Sequence, residues 1–103
     1  MVIDITQPVL DYEGKPVKET NAEDSPILTW RSAFYMALNN FSREEQPTGD
    51  IKTRCYQITQ KLFASKEVDL TVDQRSLILE RVRKIFNSPL VCGRAEEVLE
   101  EKK

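Results

Sequence analysis

The strongest constraint on the fold is a run of apolar residues between positions 30 and 41. They recur three or four positions apart, which places them on one face of an α-helix. The members of this run are Trp30, Ala33, Phe34, Ala37, Leu38 and Phe41. Thr29 precedes the run and can accept a hydrogen bond from a free amide of the first turn. The pattern predicts a helix that begins near Thr29 and packs this face into a core.

Three further helices are predicted after the first. Asp50 is the expected cap of a second helix that runs to about Ser65. Thr71 and Gln74 have the spacing of a capping box, which starts a third helix. A shorter fourth helix runs from Pro89 to about Glu100, since proline suits a first helical turn. The predicted core consists of Trp30, Phe34, Leu38, Ile58, Leu62, Ile78, Val82, Ile85 and Phe86.

Residues 8–18 predict a small β-hairpin. Two short apolar runs flank Glu13 and Gly14, and glycine supplies the positive φ that a tight reversal needs. Pro16 has no amide hydrogen to donate, so the second strand should be an edge strand. The predicted fold class is mainly α with minor β: an N-terminal β-hairpin followed by a compact bundle of three to four helices.

The totals favour one domain. The chain has 103 residues, enough for one core but too few for two. Residues 1–25 carry two lysines against six acids, and residues 26–88 carry ten lysines or arginines against seven acids. An acidic hairpin arm (1–25) therefore precedes a mildly basic helical body (26–103). No apolar run reaches about 18 residues and the start lacks the pattern of a signal peptide, so we expect a cytoplasmic protein away from the membrane.

Residues suited to catalysis are scarce. The chain has no histidine, which removes serine–histidine and cysteine–histidine nucleophile systems. Its two cysteines lie on different predicted helices without the spacing of a zinc site, and its three glycines are isolated rather than gathered in a phosphate-binding loop. We therefore expect a protein that is not an enzyme and uses neither metal nor cofactor.

Several apolar residues fall outside the predicted buried faces of their helices. With about 100° per residue, Tyr35 and Met36 turn away from Trp30 and Phe34. The candidate protein-interaction residues are Tyr12 and Glu13 of the hairpin together with Tyr35, Met36, Tyr56, Phe63 and Leu77. The alternative is a second buried side or ordinary scattered surface residues.

A second candidate surface is basic. The second and third predicted helices carry cations that could form a nucleic-acid-binding patch: Lys52, Arg54, Lys61, Arg75, Arg81, Arg83 and Lys84. Asp73 and Glu80 are interspersed among them, which favours an ordinary solvated face. The fourth helix has one arginine against four glutamates and is a poor recognition helix for a phosphate backbone. A nucleic-acid partner is therefore the less favoured expectation.

Four segments resemble a diffuse group of small, uncharacterised bacteriophage and prophage proteins. They are residues 8–17 (PVLDYEGKPV), 28–29 (LT), 68–71 (VDLT) and 89–93 (PLVCG). The resemblance brings no catalytic or binding residues. It implies a phage-type accessory protein in the cytoplasm of a bacterial host, which acts as an inhibitor or adaptor by binding a host or phage protein. The alternative it leaves open is a virion or tail assembly factor, and the oligomeric state stays open as well.

Overall fold

The fold was obtained as a computed structural model, which describes residues 2–20 and 22–100. The elements follow in the order β1 (Val2–Asp4), α1 (Trp30–Asn39), α2 (Gly49–Ala64), β2 (Glu67–Asp69), α3 (Val72–Ile85) and α4 (Pro89–Glu100). Four helices and a small antiparallel β component make the fold mainly α with minor β. The fold class predicted from the sequence is confirmed.

The helix starts follow from threonine capping. The Thr29 hydroxyl accepts from the Ser32 amide at the start of α1. At α3 the full capping box is present, because the Thr71 hydroxyl accepts from the amide of Gln74 (3.2 Å) and the Gln74 side chain accepts from the amide of Thr71 (3.0 Å). Both predicted caps are confirmed.

The start of α2 differs from the prediction. The cap is Thr48, whose hydroxyl accepts from the Ile51 amide at 3.2 Å, and not Asp50. Asp50 lies inside the first turn, where its negative charge complements the positive end of the helix dipole. Both residues suit a helix start, and the sequence pattern alone placed the boundary two residues late.

The N-terminal hairpin forms through isolated bridges. Gly14 has φ 82° and reverses the chain, and Leu10 pairs antiparallel with Pro16. The Val17 amide donates to the Val9 carbonyl at 2.9 Å. The segment before α1 is hydrogen-bonded to both strands of the hairpin. The Val9 amide donates to the Leu28 carbonyl (2.8 Å), and the Leu28 amide donates to the Val17 carbonyl (2.7 Å). The hairpin is thereby attached to the start of α1.

A separate two-stranded ladder joins distant parts of the chain. β1 pairs antiparallel with β2 in the register Val2–Asp69, Ile3–Val68 and Asp4–Glu67. Ile3 and Val68 point inward and are buried, whereas their neighbours along each strand are exposed. The ladder ties the N-terminal end of the described chain to the connection between α2 and α3.

Seven of the nine predicted core residues are buried. Ile85 and Phe86 are only half-buried, and they lie at the end of α3, where the regular buried face of the helix stops. Leu77 was predicted to lie on the surface, but it is buried. It is 6% exposed, since α3 packs against both α1 and α4 and its buried face is wider than a single stripe. Leu77 is therefore a core residue and not a surface contact.

Three arginines bind the carboxyl-terminal carbonyls of neighbouring helices. Arg31 donates to the carbonyls of Leu62 (2.7 Å) and Ser65 (3.0 Å) at the end of α2, and Arg75 donates to the Leu99 carbonyl at 3.2 Å in α4. The third is Arg81, which binds the end of α1. The last carbonyls of a helix lack partners within the helix and carry its negative dipole end. The cations therefore stabilise both the helix ends and the helix packing.

The Arg81 contacts are the most buried of these. Its side chain is 3% exposed, and it donates to the carbonyls of Ala37 (3.1 Å) and Asn40 (2.5 Å). The same guanidinium forms an ion pair with Glu45 and lies 4.0 Å from the centre of the Phe41 ring. Arg81 thus joins α3 to the end of α1 and to the loop that leads into α2.

The hairpin packs on α4. Arg94 donates to the Leu10 carbonyl (3.2 Å) and to the Asp11 carbonyl (2.9 Å). At the turn, the Asp11 carboxylate accepts from the amides of Glu13 (2.8 Å) and Lys15 (2.9 Å). These bonds fix the hairpin against the helical body.

Candidate functional site

A row of exposed aromatic and neutral polar side chains crosses the outer face of α1 and α2. We call it the aromatic strip and define it by Tyr35 and Asn39 of α1 and by Tyr56, Thr59, Gln60 and Phe63 of α2. Tyr35, Tyr56 and Phe63 are 45%, 62% and 60% exposed, respectively. Tyr56 and Phe63 are seven residues apart, so they lie on the same face of α2, two turns from each other. Three of the large exposed apolar side chains among the described residues therefore lie on these two helices.

The two helices that carry the strip run antiparallel. Contacts between them pair Arg31 with the end of α2, Tyr35 with Phe63, and Asn39 with Thr59. As the residue number rises in α1, it falls in α2. The two outer faces therefore lie side by side, and the strip extends over both of them.

The aromatic contact at one end of the strip has a defined geometry. The ring centres of Tyr35 and Phe63 are 5.6 Å apart with an interplanar angle of 89°, an edge-to-face pair. The Arg31 guanidinium lies 5.7 Å from the centre of the Phe63 ring. Because Arg31 is itself held by two carbonyls, it helps to fix the orientation of Phe63.

The polar members of the strip are hydrogen-bonded within it. The Asn39 amide group donates to the Thr59 hydroxyl (3.0 Å), and that hydroxyl donates to the Cys55 carbonyl (2.8 Å). Gln60 donates to the Tyr56 hydroxyl at 3.1 Å. These bonds restrain the side chains before any partner binds, which lowers the entropic cost of ordering them on binding.

The strip contains no ionisable acid or base other than the two tyrosines. Two cations adjoin it: Arg31 beside Phe63, and Lys52 one helical turn before Tyr56. Depletion of acids and lysine, together with enrichment in aromatic residues, is the composition found at the centre of protein–protein interfaces.

The structure separates the seven residues predicted from the sequence. Tyr35, Tyr56 and Phe63 come together in the strip, while Met36 is half-buried against the core. Tyr12 and Glu13 lie at the hairpin turn, where Tyr12 is 79% exposed and borders a small groove with Pro89 and Leu90. Leu77 is buried. The sequence analysis did not identify Asn39, Thr59 and Gln60, although Thr59 and Gln60 are visible in the sequence as uncharged residues between Tyr56 and Phe63.

The cations considered for nucleic-acid binding are mostly engaged within the chain. Arg81 is buried, so its expected place on a basic surface is wrong. Salt bridges join Arg54 to Asp50 (4.0 Å), Arg83 to Glu96 (3.4 Å) and Lys84 to Glu80 (3.4 Å). Lys61 donates to the Asp69 carbonyl and to the Gln74 side chain. Paired in this way, these residues give little net positive field to a phosphate backbone.

Two ionisable groups have clearly shifted pKa values in and near the core. The hydrogen bond from Arg81, followed by that from the Ser42 amide, lowers the pKa of Glu45 from 4.5 to about 2. Burial raises the pKa of the Cys55 thiol, which keeps that thiol protonated at neutral pH. Cys92 is half-buried, and its thiol lies 3.4 Å from the Phe86 carbonyl. Both cysteines are free thiols.

A polar groove lies between α2 and the start of α3. Its volume is about 530 Å³, and Asp50, Arg54 and Asp73 contribute its charges. The Arg54 guanidinium already faces the Asp50 carboxylate. Within residues 2–20 and 22–100, no cluster of three or more metal-ligating side chains occurs. Over the same residues, no helix has the length and apolar character needed to cross a bilayer.

The chain was compared with protein-family models, curated proteins and solved structures, and nothing matched in any of the three comparisons. The fold and the site therefore define its class: a small, mainly α domain with an exposed, acid-free aromatic surface across two antiparallel helices.

Proposed function

We propose that the protein is a non-enzymatic binding module whose aromatic strip contacts another protein. The observation that supports this proposal is the grouping of three exposed aromatic side chains, with no acidic residue among them, on one face of α1 and α2. Exposed aromatic side chains lose apolar hydration when covered, and tyrosine is among the residues that dominate binding energy at interfaces.

The restrained state of the strip also favours binding. Tyr35 and Phe63 contact each other edge to face, and Tyr56 accepts a hydrogen bond from Gln60. A partner would therefore meet side chains that are already positioned, and less of its binding energy would be used to order them.

We further propose, from the resemblance to small phage proteins, that the chain is an inhibitor or adaptor of a host protein. A virion or tail assembly factor is the alternative. The two roles differ in what is captured: an inhibitor or adaptor binds a host protein, whereas an assembly factor binds phage structural proteins or its own copies.

Affinity capture with two variants tests the binding surface. Immobilised wild-type protein, the Tyr56→Ala/Phe63→Ala variant and a Val72→Ala control are incubated with the same bacterial lysate, and bound proteins are quantified by mass spectrometry. Val72 is 66% exposed but lies outside the strip, at the start of α3. If each of two central aromatic contacts contributes about 2 kcal/mol, their truncation lowers the affinity for the partner by several hundredfold or more. We expect the specific partner to be lost from the double variant and retained by the control.

Thermal unfolding of the three proteins distinguishes lost contacts from lost folding. Because Tyr56 and Phe63 are more than half exposed, the double variant should keep most of its stability. Equal capture by the wild type and a folded double variant would contradict the proposed surface. Capture that depends on Tyr12 instead would move the binding site to the hairpin.

A further inference from the structure

We draw no further inference here: the strongest candidate, the exposed aromatic strip across the outer faces of α1 and α2, belongs to the site already described, and nothing in the described part of the structure shows what covers it.

Discussion

Arg81 is the residue whose replacement should most sharply test the account of the fold. Methionine at this position keeps a long side chain in the core but removes the guanidinium. The carbonyls of Ala37 and Asn40, at the end of α1, then lose their donor, and the loop that carries Glu45 loses its attachment to α3.

The expected loss of stability follows from the contacts that Arg81 makes. Two hydrogen bonds from a charged donor contribute about 3–6 kcal/mol, and the apolar methionine side chain recovers part of this by its own burial. Glu45 is 22% exposed and can turn to water, so its share is left out of the sum. We expect the Arg81→Met substitution to lower the free energy of unfolding by about 3 kcal/mol, which corresponds to a fall in Tm on the order of 15 °C for a domain of this size.

Urea denaturation followed by circular dichroism measures the change, and Arg83→Met is the matched control. Arg83 lies on the same helix, but its side chain is 55% exposed and its salt bridge to Glu96 is a surface pair. Such pairs contribute about 0–1 kcal/mol. The reasoning is refuted if the two substitutions cost the same, since burial and the carbonyl contacts are the only differences on which the estimate depends.

Three further predictions concern other parts of the molecule. Because the folded-state pKa of Glu45 is about 2 and its ordinary value 4.5, its contribution to stability is complete above pH 4.5 and is lost as the pH falls toward 2; a carboxyl ¹³C titration with a midpoint near 4.5 would contradict the Arg81 contact. Phe34→Ala should lower the free energy of unfolding by about 3–5 kcal/mol, because Phe34 is fully buried. Tyr35→Ala should lower it by only about 1 kcal/mol, because the neighbouring Tyr35 is 45% exposed. Equal losses in chemical denaturation would contradict the assignment of Phe34 to the core and Tyr35 to the surface. Gly14→Ala should cost about 1–2 kcal/mol through its positive φ alone, because an added Cβ meets no atom within 4 Å; an unchanged Tm would show that the hairpin turn has another conformation.

The helices, and the caps of α1 and α3, were predictable because they depend on short-range chemistry. Thr29 and Thr71 cap residues only three positions away, and the apolar spacing of α1 is complete within ten residues. Gly14 likewise acts within its own turn. In each case the sequence window that determines the structure is short enough to be interpreted by itself.

The remainder depends on contacts between distant residues. The pairing of Ile3 with Val68 joins positions 65 residues apart, and nothing in either three-residue strand specifies the other. Leu77 has polar neighbours along α3, yet it is buried, and it lies near Phe41 and Ile51 of distant parts of the chain. Arg81 resembles any surface arginine until the ends of α1 and the Glu45 loop are placed around it. For the same reason the aromatic residues of the strip were identified individually, but their grouping required the antiparallel packing of α1 and α2.

The central claim is that the aromatic strip is the binding surface, and hydrogen–deuterium exchange of the purified complex with a captured partner tests it most directly. The account predicts slower exchange on binding in two segments, residues 35–39 of α1 and residues 56–63 of α2, with little change in α4 or the hairpin. Protection confined to α4 and the hairpin turn, with the two strip segments unchanged, would contradict it.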